Sequence, residues 1–413
     1  SALELLEDAK RTLCAKYDVQ LDRPITVEIF PEQKDFAVRT FGMPGGEGFL
    51  GVCFGPVITA NSPASQGQTP SNWKAVLWHE FCHVVTLKKT EHKMPRWLSE
   101  GISVYEEKQA DPAWGQSMDA QYREMVLKGQ LTPVSQLSSA FLRPPSPLYL
   151  QFAYYESSLV VEYLVEQYGL DALKKILDDL ADDVPLNRAL VRHAGSLDDL
   201  DQRFMEYAVQ RAESLAQGAD WSVPELPPNA SVDAISKWNE QHPRSLLGLK
   251  LLAGELLKQG RWQEAKTPLA QLVRLYPEDT NPDNAYRLLA SAHRELGERE
   301  AECHVLDQLA ALDGDAVEVY RRLMEVYEAS EDWEGVARNA ERMLAVNPLL
   351  RAPHRMMARA AEEQQMPDRA IRAYRALVRM DPVDPADTHY RLARLLAEQG
   401  DRTAARRQVL MAL

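Results

Sequence analysis

Residues 79–83 have the sequence HEFCH, an H-E-x-x-H motif. They lie within residues 72–87, whose apolar periodicity predicts an amphipathic helix. Positions i and i+4 of a helix are about 400° apart, so His79 and His83 project from one face and can bind a single ion. Glu80 lies one step around the helix, close enough to reach a water molecule on that ion without being a ligand.

A catalytic zinc site needs a third protein ligand and an open fourth position. Residues 94–101, MPRWLSEG, offer Glu100 on a second helix, which is predicted to start at Pro95 and to extend to about residue 109. Gly101 should allow this helix to approach the first one closely, which would bring Glu100 over the two histidines. His92 is rejected as a ligand because the glycine turn that would bring it back to the site is missing.

Taken together, the two motifs resemble the peptidase MA family of gluzincin metallopeptidases, in which H-E-x-x-H and a W-L-x-E-G helix share one zinc ion. The resemblance covers roughly residues 25–168 and implies a thermolysin-like α+β zincin domain. It also implies that His79, His83 and Glu100 bind one Zn²⁺ per chain, and that Glu80 is the general base.

The same resemblance implies a tyrosine on a later helix that stabilises the oxyanion. Tyr154 and Tyr155 both fit; alignment from a downstream Tyr-Leu pair favours Tyr154, and packing in the core is the alternative for either residue. The edge strand upstream of the motif helix, about residues 49–60, would bind extended substrate by strand addition. The G-x-M-x-N loop of the aminopeptidase members is missing, so we expect an endopeptidase more than an aminopeptidase.

The expected activity is hydrolysis of peptide bonds, in which Glu80 takes the proton of a water molecule activated by zinc. Hydrolysis of a non-peptide amide is a second enzymatic alternative. The alternative from another class is a non-catalytic repeat adaptor with a structural or vestigial zinc site. The presence of Glu80 favours the enzyme, whereas a fourth protein ligand would favour the adaptor.

Three other residues near the motifs are not expected to take part in metal binding or catalysis. Cys82 lies one turn from His79, and we expect it to pack against the core as a small hydrophobic side chain and not to bind metal. Glu106 and Glu107 on the second helix are interpreted as a solvated face.

The second half of the chain repeats itself. Small residues recur every 34 to 36 positions, at Ala265, Ala301, Val336, Ala370 and Ala405. A helix–turn–helix unit of this period, with helix-ending prolines in phase, resembles the tetratricopeptide repeat. About five such repeats fill residues 240–413 and would stack into an all-α superhelix. Its concave groove either binds a protein partner or serves as a cap on the first domain, and the sequence leaves both open.

These patterns divide the chain into three parts. Residues 1–222 are predicted to be the metallopeptidase domain, with the core motifs in residues 25–168 and a helical remainder to residue 222. Residues 223–239 form a proline-rich linker, and the repeats occupy residues 240–413. Within the first domain, residues 1–17 are predicted to be a helix, residues 25–30 and 49–60 strand regions, and residues 42–48 a loop.

Composition excludes several classes of protein. With 47 basic against 61 acidic residues, the net charge of −14 argues against binding to nucleic acid or to an anionic membrane. No apolar run approaches the roughly 20 residues of a membrane span. The chain starts at Ser1 without a leader, and we expect an extracytoplasmic (periplasmic or secreted) location with the leader removed more than a cytoplasmic one.

Overall fold

The structure is a computed structural model that describes residues 2–46, 48–65, 71–227 and 229–413. Ser1 of the predicted first helix, Glu47 of the predicted loop and Pro228 of the predicted linker lie outside the described residues, as do residues 66–70. The chain separates into two compact units. The first comprises Ser1–Ser65 with Lys74–Ala285, and the second comprises Gln66–Trp73 with Tyr286–Leu413.

A small three-stranded sheet lies in the first unit. Its strands are β1 (Thr26–Phe30), β2 (Gly51–Cys53) and β3 (Val57–Asn61), in the spatial order β1-β3-β2. β3 is central and pairs in parallel with β1 and antiparallel with β2. The strand prediction at residues 25–30 is therefore confirmed.

The strand region predicted at residues 49–60 is a hairpin and not one strand. Gly55, with φ of +75°, and Pro56 form the turn between β2 and β3. Pro56 lies in this turn and not in a strand, so it does not interrupt the backbone hydrogen bonds between β2 and β3. Only β2, at the rim of the sheet, is an edge strand in this hairpin.

Helices make up most of the first unit. Before and between the strands lie α1 (Ala2–Tyr17) and α2 (Gln33–Phe41). The two motif helices follow as α3 (Trp73–Lys89) and α4 (Arg96–Ala110), close to their predicted bounds. The remaining helices are α5 (Ala120–Leu127), a 3₁₀ helix (Val134–Phe141), α6 (Pro147–Tyr168), α7 (Leu170–Ala181), α8 (Leu186–Ala194), α9 (Leu197–Ser214), α10 (Val232–Gln241), α11 (Leu246–Lys258) and α12 (Trp262–Leu275).

α4 is held at the centre of this unit by its buried face. Trp97 and Leu98 are almost completely buried in the main hydrophobic cluster. Gly101 does permit a close approach, but to α6 and not to α3 as predicted. A Cβ atom at Gly101 would lie 2.6 Å from the carbonyl oxygen of Ser157, so only glycine lets these two helices pack at this distance.

Five consecutive helix–turn–helix pairs follow α10. The first pair is α11 and α12, and the others are formed by α13 (Ala285–Glu295), α14 (Arg299–Leu312), α15 (Val317–Ala329), α16 (Trp333–Val346), α17 (Arg351–Glu363), α18 (Pro367–Arg379), α19 (Pro385–Glu398) and α20 (Arg402–Ala412). Each pair has a residue with positive φ in its turn, namely Gly260, Gly297, Glu331, Gln365 and Gly400. The repeat phase inferred from the small residues is therefore also present in the backbone.

The compact units and the predicted domains divide the chain at different places. α10 occupies the second half of the predicted linker, and α10 to α12 group with the first unit. The division into residues 1–222, 223–239 and 240–413 stays a prediction. No helix within the described ranges is long and apolar enough to cross a membrane.

Glu156 on α6 is a buried carboxyl group. Its Oε1 accepts a hydrogen bond from the backbone N–H of Thr132 at 2.5 Å, yet burial outweighs this bond and raises the pKa of Glu156 to about 8. Because the pKa in the unfolded chain is about 4.3, the folded state holds this proton more tightly. The stability contributed by the protonated group is complete below about pH 4 and is lost as the pH rises through about 8.

Glu156→Gln should therefore change how stability depends on pH. Glutamine keeps an acceptor for Thr132 but does not ionise, so the Tm of the variant should exceed that of the parent increasingly as the pH rises from about 5 to 9. Thermal unfolding followed by circular dichroism at several pH values measures the difference. A Tm difference that stays constant across that range would contradict the assignment of Glu156 as the titrating group.

Candidate metal centre

α3 and α4 bring three potential ligands to one point. The Nε2 atoms of His79 and His83 lie 3.3 and 3.4 Å from Oε2 of Glu100. One ligand atom from each residue lies within 4.8 Å of the other two. These are the three residues that the sequence singled out as metal ligands.

The other ring nitrogens of the two histidines are already engaged. Nδ1–H of His79 donates to Oε1 of Glu107 at 2.6 Å. Nδ1 of His83 lies 2.9 Å from Oγ of Ser99 and 3.2 Å from Oγ of Ser103. Because each Nδ1 is held outside the cluster, each Nε2 is directed to its centre, which is the usual arrangement of imidazole ligands.

These distances fit a zinc ion. Ligand atoms ~2.0–2.1 Å from a tetrahedral zinc ion lie ~3.3–3.4 Å apart, which agrees with the two nitrogen–oxygen separations of 3.3 and 3.4 Å. Two imidazoles and one carboxylate are also the donor set of thermolysin-type sites. Among the described residues, this cluster contains no fourth His, Cys, Asp or Glu, so a tetrahedral ion held there would keep one position open for water or substrate.

The electrostatics of the cluster follow from the proximity of acid and imidazole. Burial lowers the pKa of His79, but its hydrogen bonds with Glu100 and Glu107 outweigh burial and hold that pKa well above the usual value. Burial raises the pKa of Glu100, and the two imidazoles more than offset this, so that the pKa lies below its usual range. Glu100 is therefore ionised, which is the form that binds a metal ion.

Glu106 and Glu107 are not a solvated face, and this prediction is wrong. The Glu106 side chain is 2% exposed and accepts hydrogen bonds from the Tyr17 hydroxyl at 2.6 Å and from Lys16 Nζ. Glu107 holds His79. Glu107 follows Glu100 by seven residues, nearly two helical turns, so the helical period could have placed it on the metal face.

Glu107 should control zinc affinity through His79. Glu107→Ala leaves His79 Nδ1 without its acceptor, and loss of such an outer partner typically costs about 10–100-fold in metal affinity. Competition with a fluorescent zinc chelator measures the dissociation constant. Glu91→Ala removes an exposed glutamate beyond the end of α3 and should leave that constant unchanged; equal affinities for both variants and the parent would contradict this role of Glu107.

Glu80 lies beside the cluster as a buried and partly unsatisfied acid. It is 6% exposed, and its Oε2 has no hydrogen-bond partner among the described residues. Burial raises the pKa of Glu80, and the nearby imidazoles of His83 and His79 oppose that shift. A carboxylate with a raised pKa and a free oxygen is suited to accept a proton from water.

Gly51 of β2 lies against Glu80. A Cβ atom at Gly51 would lie 2.6 Å from Cγ of Glu80, so a larger residue at this position would displace the acid. Leu50 and Phe54 flank β2, and their backbone groups are hydrogen-bonded to Asn61 and Val57 of β3. Backbone groups alternate along an antiparallel strand, so those of Gly51 and Cys53 face away from β3 and are directed to the free edge.

The two candidate tyrosines have different surroundings. Tyr155 is buried and stacks on Tyr122, with ring centroids 4.9 Å apart, so it is a core residue. Tyr154 is half-buried, and its hydroxyl accepts a hydrogen bond from Arg96 at 3.0 Å. Burial and the nearby Glu100 raise the pKa of Tyr154 to about 12, so the phenol is protonated at neutral pH. Tyr154 is thus the candidate that lies near the cluster.

Two further residues lie outside the cluster. Cys82 is completely buried in the hydrophobic core, as expected of a small hydrophobic side chain. His92 packs under the β2–β3 turn, where a Cβ atom at Gly55 would lie 2.7 Å from its Cε1. Neither residue belongs to the group of potential ligands within the described part of the chain.

Comparison with protein families gives matches in both halves of the chain. A family model described as the Peptidase MA superfamily matches residues 7–211. Two models of the tetratricopeptide repeat match residues 251–279 and 355–413. A search of curated proteins finds no match.

Several solved structures resemble the chain at low similarity. One is YrrB, described as a TPR protein with an unusual peptide-binding site, which is 15% identical with a TM-score of 0.32, covering 44% of this chain and 92% of that chain. MamA from Desulfovibrio magneticus RS-1 is 17% identical with a TM-score of 0.29, covering 40% of this chain and 90% of that chain. The Cut9–Hcn1 hetero-tetramer of the APC/C is 12% identical with a TM-score of 0.26, and the match covers 84% of this chain and 68% of that chain. Similarities this low carry no argument about this chain.

Proposed function

We propose that this protein is a zinc-dependent endopeptidase, starting from the fact that its residues 7–211 belong to the Peptidase MA superfamily and that tetratricopeptide repeats follow them. The observation that carries the proposal is the convergence of His79, His83 and Glu100 beside the unsatisfied oxygen of Glu80. We also propose that the first domain, residues 1–222, has a thermolysin-like zincin fold.

The ligands would be Nε2 of His79, Nε2 of His83 and a carboxylate oxygen of Glu100. Zinc bound there would supply Lewis acidity, which lowers the pKa of a water molecule towards neutrality and polarises a carbonyl group. Glu80 would accept the proton of the attacking water and pass it to the leaving amine. Tyr154 would donate a hydrogen bond to the carbonyl oxygen as negative charge develops on it.

The free edge of β2 would orient the substrate. An extended peptide that pairs with the backbone groups of Gly51 and Cys53 adds a strand to the sheet. Since Gly51 touches Glu80, that strand would bring its backbone past the base. This arrangement uses the substrate backbone and not its terminus, which supports cleavage within a chain.

The non-catalytic adaptor is the competing function. A structural zinc site is closed by four protein ligands, whereas the cluster within the described ranges has three. A structural site also has no use for a buried acid with a free oxygen, which costs stability. Both observations favour the enzyme.

The repeats would bind protein. Tetratricopeptide repeats are interaction modules whose stacked helices present an extended surface, and this chain contains five helix–turn–helix pairs in phase among its described residues. We propose that this surface, in residues 240–413, binds either the substrate protein or a partner that presents it.

Cleavage profiling of a proteome-derived peptide library tests the proposal. The parent protein with zinc should produce new termini at internal peptide bonds, and a chelator should abolish them. Products of the Glu80→Gln variant serve as the blank. If zinc-loaded parent and Glu80→Gln give the same products, the proposed peptidase activity is wrong.

A further inference from the structure

We propose that Arg96 is a positioning residue that directs the hydroxyl proton of Tyr154 towards the substrate oxygen. The inference rests on the proposed peptidase function and adds a residue to it. Arg96 is the first residue of α4, next to the buried Trp97, and four residues before Glu100. Its side chain contacts both the proposed metal ligand Glu100 and the proposed oxyanion donor Tyr154.

Several contacts hold the Arg96 guanidinium in this place. Its Nη2 donates to Oη of Tyr154 at 3.0 Å, and its Nε lies 3.5 Å from Oε1 of Glu100. Its Cζ lies 5.3 Å from the centroid of the Phe141 ring and 5.9 Å from that of Tyr154. These two rings contact each other edge to face, with centroids 5.3 Å apart. The side chain of Arg96 is 45% exposed, and its cation contacts two aromatic rings and one carboxylate.

The hydrogen-bond inventory of a phenol explains the effect. A tyrosine hydroxyl has one proton to donate and can also accept. Arginine has only donors and stays charged, so at this contact the Tyr154 oxygen can only accept. Within the described part of the chain, the Tyr154 hydroxyl makes no hydrogen bond as a donor. Its own proton is consequently free for an oxygen that enters the site.

The Arg96 guanidinium also makes the Tyr154 hydroxyl a stronger hydrogen-bond donor. A hydrogen bond from a charged group withdraws electron density from the accepting oxygen and makes chained hydrogen bonds stronger. Without Arg96, the hydroxyl could rotate and donate to the nearby Glu100, which would remove it from catalysis. The guanidinium opposes that state because it contacts both groups: it donates to the Tyr154 oxygen and lies 3.5 Å from Oε1 of Glu100.

A double-mutant cycle tests whether Arg96 acts through Tyr154. The four proteins are the parent, Arg96→Met, Tyr154→Phe and the double variant, assayed on a peptide from the cleavage profile. Arg96→Met should lower kcat about 10–100-fold with little change in KM, because a charge-assisted hydrogen bond is lost. In the Tyr154→Phe background the same substitution should change kcat less than about threefold, and Arg96→Lys should recover part of the loss.

A binding measurement provides a readout besides activity. A phosphonamidate analogue of the cleaved peptide imitates the tetrahedral state, so its Kd should rise by about the factor lost in kcat for Arg96→Met. That rise should also vanish in the Tyr154→Phe background. Arg143→Met, which removes an exposed arginine two residues after Phe141, should leave Kd and kcat unchanged.

The outcomes separate this inference from the proposed function. If the parent cleaves peptides but Arg96→Met costs the same factor in both backgrounds, Arg96 does not act through Tyr154. If the zinc affinity falls by that factor, the residue acts through Glu100, and the inference is overturned while the peptidase function stands. If zinc-loaded parent neither cleaves peptides nor binds the phosphonamidate, both the function and the inference are wrong.

Discussion

Glu80→Gln should lower kcat by about 10²–10⁴-fold while the protein still binds one zinc ion. The glutamine side chain has the same shape, so it fits against Gly51 and leaves His79 and His83 undisturbed. It has no charge with which to accept a proton from water. The loss should therefore fall on the chemical step and spare both metal binding and KM.

Two structural observations support the proposal that Glu80 is the base. Its Oε2 is buried without a partner among the described residues, and burial raises its pKa. A raised pKa makes the carboxylate a better proton acceptor, and the unsatisfied oxygen is free to take the proton. Single-turnover cleavage of a fluorescence-quenched peptide measures the step, and zinc content is measured on the same samples.

A matched control is Glu91→Gln, which changes an exposed glutamate just beyond α3. It removes the same charge without touching the cluster, so its rate should equal that of the parent. If Glu80→Gln also cleaves at the parental rate with zinc bound, another group is the base.

Glu100→Ala should abolish both zinc binding and cleavage. The substitution removes the only carboxylate in the ligand group and leaves two imidazoles from one helix. Its effect on zinc affinity should exceed the loss of about 10–100-fold expected for Glu107→Ala, because Glu107 would act on a bound ion through His79 and not as a ligand. Metal analysis after dialysis against micromolar zinc should give about one zinc per parent chain and almost none for the variant.

His92→Ala is the control for this experiment, because His92 packs under the β2–β3 turn and not in the cluster. It should retain zinc at the parental level. If His92→Ala loses zinc and Glu100→Ala retains it, the third ligand has been assigned wrongly.

Much of the candidate site follows from helical periodicity in the sequence. His79 and His83 share a face because they are four residues apart, and Pro95 marks where the second helix begins. Both features depend only on local geometry. The distance between the two helices does not depend on local geometry. Glu100 does meet the two histidines, but the close approach at Gly101 from which this was inferred is made to α6.

The features that sequence reasoning missed depend on tertiary contacts. From sequence alone, Glu106 is predicted to be a surface residue. In the structure, Tyr17 and Lys16 of α1 donate hydrogen bonds to it. Gly101 accommodates α6, a helix about fifty residues later, and nothing near it in sequence points to that contact. The turn at Pro56 went unrecognised because apolar residues on both sides of it continue the strand pattern.

In the repeats, the period of the sequence locates turns that residue type alone does not reveal. Gly260, Gly297 and Gly400 mark the turns by residue type, and the structure gives each a positive φ. Glu331 and Gln365 adopt the same backbone conformation without being glycine. Their place was predictable only from the period, since neither residue type favours that conformation.

The choice between Tyr154 and Tyr155 needed the fold. Adjacent helical residues point about 100° apart, so one of them faces the core and the other can face a cleft. Tyr155 is the core residue and Tyr154 contacts Arg96. The role of Tyr154 as oxyanion donor stays a prediction, which the double-mutant cycle addresses.

The most direct test is an anomalous diffraction map recorded at the zinc edge on crystals of the parent protein grown with zinc. The account predicts one peak per chain, bonded to Nε2 of His79, Nε2 of His83 and a carboxylate oxygen of Glu100, with its remaining ligand from solvent. A peak elsewhere, a Glu100 side chain directed away from the ion, or a fourth protein ligand that closes the site would contradict it.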